Sequence, residues 1–292
     1  MNNIGFIAAT LRQLRLFIGR DEAGSFATAA QGGKADTALQ PADIGTTAGK
    51  LVALDGAAKL PAVDGSQLTN LPIPTPDYQV FTSSGTWTKP ATGGNFAKVE
   101  VWAGGGGAST NVVGGGGAYN SAIIPLADLP STVSVSVGAG GVGNAFGGDS
   151  NFGSYVTAYG GSPGGGGGGV NSRGHISNGS GGNPRPGVSS TTADGAANSV
   201  LGGGGAQTAL SGSKLAGDSV YGGGGGSSAV GGVGGNSIYG GGGGGTTGGT
   251  SIYGGNGGGL NADGNAPGGG AGYGASASRT GGRGEVRVTV YY

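Results

Sequence analysis

The single histidine, His175, lies in Ser172-Arg173-Gly174-His175-Ile176, and the chain has no cysteine. Cysteine–histidine nucleophilic chemistry is therefore excluded, and no multi-histidine zinc site can be built. A Ser-His-Asp triad would have to use His175, but no serine stands in the strand–turn context that aims a nucleophile. Asp149, Asp194, Asp218 and Asp263 lie in turn-like surroundings that suit turn capping. None shows the Asp-x-Asp spacing of a calcium loop, and no carboxylates cluster as a glycosidase pair requires. Gly104–Gly107 follows an apolar segment, but no helical period follows, and Gly-Lys-Ser/Thr is absent. Dinucleotide and phosphate-loop readings both fail on those grounds. The expectation is a protein that is not an enzyme and needs no cofactor or metal.

What remains is surface chemistry. The longest segment between glycine blocks is Val170–Val200, which carries Arg173, His175, Asn183 and Arg185. These four offer cations, an imidazole and amide donors, and are the candidate receptor contacts. Pro184 and Pro186 stiffen the segment and lower the ordering cost of binding. Shorter candidate loops are Ala206–Gly217, Leu260–Pro267 and Tyr273–Thr280. Lys+Arg and Asp+Glu balance at 14 each, so nothing favours nucleic acid or an anionic membrane. No apolar run approaches the ~20 residues of a membrane span, and no membrane insertion is expected. Ile4–Ile18 superficially resembles a signal peptide, but Arg12 and Arg15 interrupt it, and it is read as mature sequence.

The elements that must hold these loops are unusual. Glycine numbers 78 of 292 residues, concentrated from Gly93 onward in blocks such as Gly164–Gly169 and Gly240–Gly245. The strict Gly-X-Y period of collagen is missing. Such a composition suits disorder, but 35% hydrophobic residues and strand patterns at both ends of the glycine-rich stretch oppose it. Gln79–Trp87, Ala97–Ala103, Ser131–Val137 and Glu285–Tyr291 read as strands, the last two by clean alternation. Ordered glycine must saturate its backbone donors and acceptors. Extended three-fold helices packed side by side, the polyglycine II arrangement, would do so laterally. Between the blocks a unit recurs: Gly148–Gly153, Gly217–Gly222, Gly235–Gly240 and Gly249–Gly254, with Asn198–Gly202 as a weaker copy, which points to stacked similar elements.

The first 76 residues differ. Ile4, Ile7, Ala8, Leu11, Leu14 and Ile18 fall on one helix face, giving an N-terminal anchoring helix over 1–20. Residues 21–76 repeat short apolar runs closed by Asp-Gly, at Leu51–Gly56 and Leu60–Gly65, and end in Leu71-Pro72-Ile73-Pro74-Thr75-Pro76. So thin a chain cannot bury its own leucines, and three copies are expected to intertwine into a shaft. The expected class is mainly β: a short helix, a trimeric β-rich shaft over 21–76, and a β-sandwich-like domain with packed polyglycine II helices over 77–292.

Gly49–Gly56 and Lys59–Pro72 resemble the shaft of tailed-bacteriophage tail fibres. Phe81–Pro90, Val99–Gly107 and Gly282–Val288 resemble the glycine-rich C-terminal domain of such fibres, and together the likeness covers about 250 residues. The glycine blocks are also similar to distal adhesins of T-even-type phages, in which segments between polyglycine helices contact the receptor. Those adhesins lack the shaft and terminal strands. The resemblance implies a homotrimer in the virion tail, docked through its N-terminus on other virion tail proteins. It implies binding to a host surface glycan or outer-membrane protein. Two other readings are a purely structural tail-tip component and an ice-binding or extracellular polyglycine protein.

Overall fold

The computed structural model describes residues 75–292 except 92, 111, 177–178, 191–194, 209–214, 229 and 275–277, together with Ile44, Leu51, Leu54, Gly56 and Lys59. The chain divides into two units, Met1–Pro72 and Ile73–Tyr292. In the first, Ile44 and Leu51 form one parallel bridge, and Leu51 and Leu54 are each 57% exposed. The expected N-terminal helix and nearly all of the shaft lie outside the described residues.

The second unit is mainly β, with two antiparallel four-stranded sheets and a single short 3-10 turn at Leu126–Asp128 among the described residues. One sheet orders its strands β1 (Asp77–Phe81), β8 (Glu285–Tyr291), β3 (Phe96–Trp102) and β4 (Tyr119–Pro125). The other orders β2 (Gly85–Thr88), β5 (Thr132–Ser136), β6 (Ser150–Phe152) and β7 (Val156–Ala158). Period-two alternation supplies the core. Val133 and Val135 of β5, Val99 and Val101 of β3, and Val286, Val288 and Val290 of β8 are all buried. Trp87 joins them and meets Phe152 edge-on at 5.5 Å. Because β8 lies between β1 and β3, with Asp77 opposite Val290 and Phe96 opposite Tyr291, the ends of the unit close on each other.

Two details depart from the sequence reading. Gln79–Trp87 is not one strand: Thr82–Ser84 bend, and the halves join different sheets. Strand β4 was not anticipated, because Tyr119-Asn120-Ser121-Ala122-Ile123-Ile124-Pro125 lacks clean alternation. Ile123 there is 69% exposed while Tyr119 is buried.

The glycine blocks are ordered, with most of their backbone donors and acceptors paired laterally. Three successive amides choose three partners: Gly223 N–H donates to Gly168 O, Gly224 to Gly241 O and Gly225 to Gly217 O, at 2.8–2.9 Å. The pattern returns after three residues, since Gly226 N–H donates to Gly165 O. Likewise Gly241 N–H donates to Gly117 O and Gly244 to Gly114 O, both at 2.8 Å. Side chains have no room between such rows. A Cβ on Gly223 would stand 1.9 Å from Gly116 O, and one on Gly243 1.9 Å from Gly225 O. Glycine here serves close backbone approach, and lateral bonding offsets its large ordering entropy.

Candidate recognition surface

The repeated units between glycine rows become rungs of one ladder. Parallel bridges link Ser199 to Ser219, Ser219 to Ser237 and Ser237 to Ser251. The last three serine hydroxyls reach back to the preceding glycine row: Ser219 Oγ donates to Gly202 O, Ser237 to Gly222 O and Ser251 to Gly240 O, at 2.6–2.8 Å. The weaker copy, Asn198–Gly202, is the first rung. The copy at Gly148–Gly153 is not in the ladder at all; its Ser150–Phe152 forms β6.

The residue before each serine makes a second ladder. Asn198 Oδ1 accepts from Asp218 N–H at 2.7 Å, Asp218 Oδ1 from Asn236 N–H at 2.6 Å, and Asn236 Oδ1 from Thr250 N–H at 2.9 Å. Asp218 is thus a brace between distant segments and not the local turn cap expected of it. Asp263 does the same for Thr280 N–H at 2.7 Å, and Asp149 for Gly160 N–H at 2.9 Å. Asp194 lies outside the described residues.

The residue after each serine makes the third ladder, Val200, Val220, Ile238 and Ile252. Val200 is 60% exposed and Ile252 72%. These apolar side chains and the Asn/Asp/Thr brace line an open groove of about 880 Å³, with Pro184, Arg185 and Leu201 at its margin. A groove of this size with an apolar floor and a few convergent polar groups has the makeup of a ligand site.

The four residues singled out from the sequence do not act together. Arg185 lines the groove, its backbone in the left-handed region at φ 51° and its carbonyl accepting from Ser199 Oγ at 2.6 Å. Arg173 is held elsewhere by Asp149, through Nε–Oδ1 at 2.7 Å and Nη2–Oδ2 at 2.9 Å. That hydrogen bond is the main reason its pKa is raised above the ordinary arginine value. Arg173 also lies 5.8 Å from the centre of the Phe146 ring. His175 and Asn183 are exposed but are not among the groove residues. Their backbones are fixed: His175 N–H donates to Ser180 O, and Asn183 N–H to Ser172 Oγ.

A second concavity, of about 360 Å³, sits where the tyrosines of the same units meet the outer face of the β1-β8-β3-β4 sheet. Tyr221, Tyr239 and Tyr253 stack at 4.9 and 5.0 Å, with ring planes within 3° and 9°. Tyr119 stacks beside Tyr239 at 5.2 Å, and Trp102 packs on Tyr119 at 4.9 Å. Trp102 has the same strand parity as Lys98 and Glu100, yet is buried, because these rings cover it. Burial, the largest cause, pushes the Tyr119 phenol up to about 12, and the neighbouring Glu100 acts in the same direction. The ladder residues were visible in the sequence as a repeat, but not as a surface. The signal was their constant place beside serine, which only a parallel stack converts into a face.

No family model and no curated protein matches the chain.

Proposed function

We propose that this chain is a bacteriophage tail-fibre-type attachment protein, whose glycine-rich distal domain recognises a host surface. The observation that carries the reading is the four-rung ladder on the glycine rows. It is a rigid, repetitive support that presents an apolar groove edged by Asn198, Asp218, Asn236, Thr250 and Arg185. The period-three hydrogen bonding of the rows supports a polyglycine II-like packing of three-fold helices. Such packing leaves no side chains in the interior of the bundle to discriminate ligands, so recognition falls to the residues on its rim. The groove brings one aspartate and one arginine to the edge of its apolar floor, a set suited to binding.

Exposed Leu51 and Leu54 support a shaft in which three copies share a core, with the N-terminus docked in the virion tail. The experiment is adsorption of the labelled full chain to a panel of bacterial strains, read by co-sedimentation. Saturable retention on a subset of strains is expected. Retention on none would reduce the chain to a structural tail-tip component.

A further inference from the structure

We infer that the tyrosine shelf, Tyr253–Tyr239–Tyr221 facing Lys98, Glu100 and Arg287, is a second binding site, which takes an uncharged, hydroxyl-rich glycan. The inference names a ligand class for the attachment reading above and rests on it.

The shelf combines the two surfaces that a sugar ring needs. One is a flat aromatic face. Tyr239 covers one side of Tyr253, while Tyr253 itself remains 54% exposed at the end of the stack, so its other face is open. The C–H face of a pyranose is apolar and packs on such a ring as other apolar groups do. The other surface is polar and fixed. Glu100 accepts from Tyr119 Oη at 3.1 Å and pairs with Lys98 at 2.9 Å, so its carboxylate is held in place with further acceptor capacity. Arg287 is held over Trp102 at 4.5 Å and bound to Glu285 at 2.7 Å. The hydroxyls of Tyr221, Tyr239 and Tyr253, carried on rings whose centres are 4.9 and 5.0 Å apart, make no hydrogen bond to any described residue and can donate to or accept from a ligand.

Charge decides against an anionic ligand. Both cations of the cleft already face a carboxylate, Lys98 that of Glu100 and Arg287 that of Glu285. A phosphate or nucleic acid strand would meet the Glu100 carboxylate and would have to compete for these cations with Glu100 and with Glu285, which Arg283 also contacts at 3.2 Å. A neutral glycan meets no such repulsion, and its hydroxyls can bond both to Glu100 and to the phenols.

The test uses the full chain on an array of neutral hexose and N-acetylhexosamine oligosaccharides, with sialylated glycans and single-stranded DNA as anionic arms. Adsorption to the bacterial panel is measured in parallel. Binding to a set of neutral glycans is expected, with Tyr253→Ala weaker by about tenfold, the size of one aromatic contact. Tyr253→Phe should keep most of the affinity, because the stacking face survives. Tyr253 is exposed at the end of the stack, and thermal melting of each variant checks that the ladder remains intact. If the parent adsorbs to cells but binds no neutral glycan, or binds glycans equally well with Tyr253→Ala, the shelf is not the site, and the attachment reading stands without it. Preference for the anionic arms would also overturn the inference. Failure of the parent to adsorb to any strain removes the attachment reading and this one with it.

Discussion

The indole Nε1 of Trp102 donates to the main-chain carbonyl of Tyr239 at 2.7 Å, across 137 residues of chain. This bond joins the end of a sandwich strand to the middle rung of the tyrosine ladder. The sandwich and the glycine rows therefore behave as one body. Trp102→Phe keeps the aromatic packing but leaves the Tyr239 carbonyl without this donor. A loss of about 1–3 kcal/mol is expected. It should appear in urea unfolding as a lower midpoint of one transition, not as two separate transitions.

The glycine rows make a sharper demand. A Cβ on Gly243 would lie 1.9 Å from Gly225 O, whereas one on Gly259 would meet nothing closer than Thr246 O at 3.4 Å. Gly243→Ala should destabilise the domain by about 1–3 kcal/mol or prevent its folding, as overpacking does. Gly259→Ala should melt within a degree or two of the parent. Equal melting of the two variants would mean that the rows yield to side chains and are not close-packed.

Asp218 braces two rungs at once, its N–H to Asn198 and its carboxylate to Asn236. Asp218→Ala removes the acceptor for Asn236 N–H, and a loss of about 1 kcal/mol is expected. Asp218→Asn retains an acceptor oxygen at the same place and should recover most of it. Thermal melts of the pair check that an acceptor oxygen at this position, bonded to Asn236 N–H, stabilises the ladder.

Tyr119 gives a pH signature. Its folded pKa of about 12 lies above the ordinary tyrosine value of 10. The folded state therefore holds this proton more tightly than the unfolded state. The corresponding stability is fully present below pH 10 and is lost as pH rises from about 10 to about 12, by about 2–3 kcal/mol in all. Urea unfolding of the parent should weaken across that window, and Tyr119→Phe should remove the part owed to this residue.

Much of this architecture was legible in the residue order, and the remainder was not, for identifiable reasons. Alternation in Thr132–Ser136 and Glu285–Tyr291 reports burial on one face directly, and both strands stand where the pattern puts them. Strand β4 escapes because Tyr119 is buried by rings from the repeat units, a covering that no local pattern encodes. That glycine blocks must bond laterally follows from their saturation alone. Which row bonds which does not, because glycine carries no side chain to mark a partner. Arg173 looked available because its partner, Asp149, stands 24 positions away. The valine and isoleucine ladder is not legible as a surface, because in one dimension an apolar residue beside a tyrosine looks like core.

The most direct measurement of the central claim is adsorption of the double variant Ile238→Asp/Ile252→Asp to a bacterial strain that retains the parent. Both side chains are exposed, at 38% and 72%, so the fold should survive, as circular dichroism and melting would verify. The account expects retention to fall by about tenfold or more, since two carboxylates would then stand in an apolar groove. Retention equal to that of the parent, with folding intact, would contradict the claim that this ladder is the recognition face.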